Sequence, residues 1–195
     1  MSQVNSDLID RLAGLTPADT SYAIRQQRGK VALATQGSYD AIFEPSLADL
    51  SLAERLLVAL YVCQLTPAAE LAAHYRDQLL AAPVFGALNP QVAALVRGGK
   101  ALSKDAVTEQ RLHAILHFAR VLIENPIDGD KRLLHSLPAA GLTTPAIVAL
   151  AQLIAFLSYQ TRLLAGLRAM KQLAAQSDVA GQSDVAAVGG AECTP

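Results

Sequence analysis

The sequence has no tryptophan, only two cysteines and two methionines, and aromatic residues make up just 5% of its 195 positions. The cysteines, Cys63 in an apolar stretch and Cys193 near the end, form neither a disulfide framework nor a zinc-ligand pattern. A reducing, cytoplasmic setting is therefore expected. Charge is scarce as well: 17% of residues are charged and the formal net charge is -1. Nothing global draws the chain to nucleic acid or to an anionic membrane surface, so neither is an expected partner. No apolar run reaches the roughly 18 to 20 residues that cross a bilayer. The most apolar stretch, Ala146 to Tyr159, is followed by Arg162 and reads as a core helix that also meets a second subunit, which makes a homo-oligomer the expectation. The opening MSQVNSDLIDRLAGLTP carries acids early and lacks the apolar stretch of a signal peptide.

What is present favours helix. Hydrophobic residues reach 52%, with alanine and leucine abundant, and both have high helix propensity. The reading is all-α, about seven or eight helices in one domain over residues 1–175, with two related halves at about 45–100 and 103–175. From Gln176 the Ser-Asp-Val-Ala stretch at 177 recurs at 183 among small residues with too little bulk to bury, which predicts a mobile tail over 176–195.

Punctuation places the elements. Thr16-Pro17 and Thr66-Pro67 read as N-caps with proline at the first helical position. Ser51-Leu52-Ala53-Glu54 matches the capping box, predicting a helix from about Leu52 to Leu65 and, after Pro67, a second helix to about Ala82. Asn89-Pro90 opens a shorter helix closed by Gly98 and Gly99. Leu112, Ile115, Leu116 and Ala119 recur at three and four to give a long amphipathic helix ending at Asn125-Pro126. A short helix spans Asp130 to Leu137, and the last runs from about Pro145 to Ala175. The basic run Arg25 to Lys30 reads as a solvated helix face.

The helical pair from Ser51 to Leu80 carries the candidate chemistry. Glu70 and His74 are four apart and share a helix face. A carboxylate beside an imidazole suits general acid–base work near neutral pH, and the same spacing also describes an ordinary surface pair. Arg76 follows and can pair with Glu54 or receive an anionic substrate. Glu54 is accounted for by the capping box unless that helix start borders a pocket. Cys63 lies among Leu60, Tyr61, Val62 and Leu65, where a thiol stays protonated and nucleophilically poor. His113 and His117 have metal-ligand spacing without the glutamate of the zinc-protease motif between them, and His135 has no evident partner. The sequence calls for no metal and no cofactor. An acid–base site, a thiol site and a capped pair of core helices all remain open on the residues alone.

The stretches LAERLLVALYVCQL and ELAAHYRDQL, with LHAILHFARVLIENP and AAGLTTPAIVALAQLIAFLSYQTRLLAGL further on, resemble the superfamily of alkylhydroperoxidase D and carboxymuconolactone decarboxylase over roughly Leu50 to Met170. The resemblance implies a helical bundle of that type. It also implies a site at His74, Glu70, Glu54 and Arg76, acting on a small molecule of unknown identity. The peroxidase branch works through a C-x-x-C pair, but its positions are held here by Pro67 and Glu70, and Cys63 lies a turn too early. The decarboxylase branch has an E-L-x-x-H stretch to which Glu70-Leu71-Ala72-Ala73-His74 is similar, although its Y-A-G-x-P stretch is replaced by Leu157-Ser158-Tyr159-Gln160-Thr161. The implied activity is thus decarboxylase-like proton transfer on a small acidic molecule. A peroxidase using Cys63 and a non-catalytic oligomeric binding protein stand as alternatives.

Overall fold

The computed structural model of the chain describes residues 7–47, 49–102 and 109–188, with 87 and 178–188 described as backbone only. Ser103 and Asp105, either of which suits the start of the amphipathic helix through Leu112, lie outside these residues, as does Cys193. The fold is all-α. Nine α-helices occur among the described residues: α1 Leu8–Leu12, α2 Thr20–Gln26, α3 Gly29–Ile42, α4 Leu52–Leu65, α5 Ala69–Ala81, α6 Pro90–Arg97, α7 Gln110–Glu124, α8 Lys131–Ala139 and α9 Thr144–Val188. Short 3-10 turns at Pro83–Ala87 and Pro126–Asp128 join some of them. The chain divides into two compact units, Met1–Gln36 with Leu163–Pro195, and Gly37–Arg162.

In the first unit, Asp10 is fully buried and its charge is met by Arg25, whose Nη1 lies 2.7 Å from Asp10 Oδ1 while Nη2 reaches Asp7 at 3.2 Å. Asp7 also caps α1, accepting from the Asp10 amide. Arg25 is therefore a packing residue rather than part of a solvated face, because a buried carboxylate is tolerable only when paired. Thr16-Pro17 is a turn, not a helix start. The Thr16 amide and hydroxyl both donate to Asp19, and Asp19 holds the N-cap position of α2. Lys171 of α9 donates to the Gly14 carbonyl and lies 3.4 Å from Asp19.

The second unit is arranged around α4. Every residue from Arg55 to Cys63 is buried, so this helix is covered on all sides rather than along one stripe. Helices α5 and α7 pack on it, and α8 packs on α7. A helix so enclosed must satisfy its polar groups at its ends. Ser51 accepts from the Glu54 amide and Glu54 accepts from the Ser51 amide, a complete capping box. At the other end Thr66 folds its hydroxyl back to Val62 O at 3.0 Å and takes an extended conformation that stops the helix. Thr66-Pro67 is thus a helix end and link, and α5 starts two residues after Pro67.

Arg55 is the one charged residue inside the enclosed stretch, and it is 2% exposed. Its guanidinium reaches out to backbone carbonyls: Nε donates to Leu50 at 2.9 Å, and Nη1 donates to Glu44 at 3.0 Å and to Ile42. These contacts fix the end of α3 and the following loop against the start of α4. Burial pushes the guanidinium pKa down, with the nearby Glu44 and Glu54 carboxylates opposing that shift.

Helix α9 departs from expectation in two ways. It continues to Val188, past the predicted end near Ala175, as its alanine-rich sequence allows. By length and composition, its Thr144–Ser177 portion can also cross a membrane, although only 39% of its most apolar window is buried. Ala146, Leu150, Leu153, Ile154 and Leu157 form its buried face, while Val148 and Tyr159 are exposed.

Arg55→Lys keeps the charge but loses the fork that reaches three carbonyls. It should destabilise the protein by about 2 kcal/mol, read as a lower urea midpoint, because buried carbonyls left without donors carry their full desolvation cost.

Candidate functional site

Helix α5 presents three faces set by its 3.6-residue turn. Leu71, Tyr75 and Leu79 are all fully buried and define the inner stripe. Glu70 and His74 fall on one flank of it, and Ala69, Ala72, Ala73 and Arg76 on the other. The residues grouped by the sequence as one site are therefore divided by the helix that carries them.

On the first flank, His74 Nε2 lies 2.9 Å from the Tyr39 hydroxyl, joining α5 to α3. Both side chains are half-buried. The ring centroids of Tyr39 and His74 are 5.8 Å apart, and Tyr75 packs edge-on to His74 at 5.2 Å. Phe43, one turn after Tyr39, completes the group at 5.1 Å from Tyr39 and 5.2 Å from Tyr75. The chain has few aromatics and four of its rings, counting the imidazole, collect here. Sequence spacing did not single out Tyr39. The available signal was the i,i+4 pair Tyr39 and Phe43 in an otherwise small-residue helix. Glu70 is half-buried in the first turn of α5 on the same flank as His74.

Tyr75 turns inward, and its hydroxyl donates to Gln160 Oε1 at 2.5 Å. Burial holds its phenol pKa well above the usual range, and the neighbouring Cys63 and Tyr39 add to the shift. Cys63 is 1% exposed, and burial pushes its thiol up to about 12. A thiol so placed is neither ionised at neutral pH nor within reach of a peroxide.

Glu54 sits elsewhere. Besides capping α4 it accepts from Arg111 Nε at 2.6 Å, and Arg111 also donates to the Gly141 and Asp49 carbonyls. The expected pairing of Glu54 with Arg76 is thus replaced by one with Arg111, which comes from α7 and was invisible to local spacing. The start of α4 does border a cleft of about 330 Å³, lined by Glu54, Arg111, Glu109, Asn89 and apolar side chains including Leu57 and Leu112. Arg76 is 39% exposed, with Asp77 Oδ1 at 3.6 Å.

The rings of His113 and His117 stack at 6.4 Å on α7, His113 being exposed. Among the described residues no group of three or more His, Cys, Asp or Glu is placed to hold a metal ion. His135 is exposed on α8. The sequence matches no protein-family model and no curated protein.

The buried thiol gives a signed pH dependence. In the folded chain Cys63 keeps its proton to about pH 12, whereas its ordinary pKa is 9.0. A raised folded-state pKa contributes stability that is full below pH 9 and is lost as pH rises from 9 towards 12. Chemical-denaturation midpoints should therefore fall across that interval, and Cys63→Ala should flatten the decline. With Cys193 replaced by serine, native protein at pH 8 should react with a thiol reagent at Cys63 only as fast as it opens.

Proposed function

We propose that the chain is a member of the superfamily of alkylhydroperoxidase D and carboxymuconolactone decarboxylase, and that it transfers protons on a small acidic molecule, with His74 as the proton carrier. The observation behind this reading is the 2.9 Å contact between His74 Nε2 and the Tyr39 hydroxyl at a half-buried position. A neutral imidazole accepts from the phenol there, and an imidazolium donates to it, so the pair stays hydrogen-bonded in both protonation states. Such a pair takes up and returns a proton without losing a partner. Glu70 lies one turn earlier on the same flank, half-buried in the first turn of α5. Neither Glu54 nor Arg76 belongs to this group, since the first is held by Ser51 and Arg111 and the second lies on the other flank of α5. The proposed setting is a cytoplasmic homo-oligomer.

Burial of Cys63 speaks against the peroxidase alternative, because its thiol has no thiolate to offer near neutral pH. A second reading, a non-catalytic binding protein, draws support from the cleft beside Glu54, whose carboxylate is already committed to capping and to Arg111.

The reading is tested on a panel of small acidic lactones and keto acids. Turnover should follow a bell-shaped pH profile, fall by about 10² to 10⁴ in His74→Ala, and fall by about tenfold in Tyr39→Phe. Full turnover in His74→Ala would remove the acid–base reading. Binding without turnover in the unaltered protein would leave the second reading in its place.

A further inference from the structure

The flank of α5 that carries Arg76 faces a second cleft, of about 240 Å³, between α4, α5 and the loop that follows α6. Its polar lining is Arg76, Lys100 and Gln64, and its floor is made of small residues, Ala69 and Ala72 among them. Among the described residues no acidic side chain lines it. Two cations thus face an apolar floor with nothing in the lining to neutralise them.

Arg76 is held ready rather than used. Its Nε is buried and has no hydrogen-bond partner among the described residues, and the Asp77 carboxylate beside it is 68% exposed and 3.6 Å away. An exposed pair at that distance contributes little, and a buried guanidinium N–H without an acceptor costs free energy until one arrives. Gly99 leaves room for the guanidinium. It adopts φ +61, and a Cβ built there would come within 2.9 Å of Arg76 Nη1. Any larger residue would displace the Arg76 head group as well as strain the backbone. The Lys100 side of the cleft is anchored too: Gln64 Nε2 donates to the Lys100 carbonyl at 3.3 Å and Gln64 Oε1 accepts from the Leu102 amide at 2.9 Å. A glutamine on the enclosed helix therefore fixes the segment that carries the second cation.

We propose that this cleft binds a small carboxylate with a short alkyl body, the carboxylate lying between Arg76 and Lys100 and the alkyl part on the alanine floor. The planar guanidinium donates edge-on to a carboxylate, whose oxygens supply the acceptor that Nε lacks. The alanines leave room for a few methylenes and add apolar contact. This site lies on the opposite flank of α5 from His74 and does not depend on the proton-transfer reading.

The test is titration of the full chain with butyrate and, separately, with inorganic phosphate. It is followed by calorimetry and by amide and arginine Nε resonances. Butyrate should bind saturably and shift the Arg76 Nε–H and Gly99 signals. Affinity should drop by at least about tenfold in Arg76→Gln and in Lys100→Gln, and Asp77→Asn should bind at least as tightly as the unaltered chain. Both exposed cations can be replaced without touching the core, and circular dichroism checks that the variants fold. Absence of saturable butyrate binding, equal affinity in Arg76→Gln, or binding of phosphate in preference to butyrate would each overturn the proposal.

Discussion

The constraint on which the second unit depends is the enclosure of α4. A helix covered on every side has no solvent to hydrate its side chains, so any polar group along its middle must find a partner within the protein or stay neutral. Arg55 meets this by extending to three backbone carbonyls, and Cys63 meets it by keeping its proton. Apart from Tyr61, the other polar groups lie towards the ends, among them the Ser51 and Glu54 box and the Thr66 link. The middle of α4 is therefore closed to solvent, whereas α5 seals the core with its inner stripe and keeps two flanks reachable.

The two flanks differ in kind. One gathers His74 with Tyr39 and two further aromatic rings, a setting in which a proton can change owner. The other offers paired positive charge over small side chains. A single helix thus separates an imidazole from a guanidinium by the width of its buried stripe.

Local features were legible in the sequence and distant partnerships were not. The capping box at Ser51, the Asn89-Pro90 start and a helix opening at Asp130 are all present as read, because each is decided within four residues. The two Thr-Pro pairs misled for the same local reason. A threonine before proline suits a helix start, but Thr66 instead satisfies the carbonyl of the preceding turn, and Thr16 serves Asp19. At the candidate site, the shared flank of Glu70 and His74 followed from spacing alone. Tyr39 lies 35 positions before His74 and Arg111 lies 57 after Glu54, distances over which periodicity carries no information. Arg25 read as solvated because its buried partner, Asp10, stands 15 residues away.

The buried hydrogen bond from Tyr75 to Gln160 sets the longitudinal register of α9. That helix is apolar over so long a stretch that its leucines could be shifted by a turn with little change in contact. A slide of one turn would put Phe156 or Leu164 opposite the Tyr75 hydroxyl, stranding a phenol and an amide away from water at about 1 to 3 kcal/mol each. One glutamine in the greasiest helix of the chain therefore works as an index mark, converting a smooth apolar cylinder into one that docks at a single height.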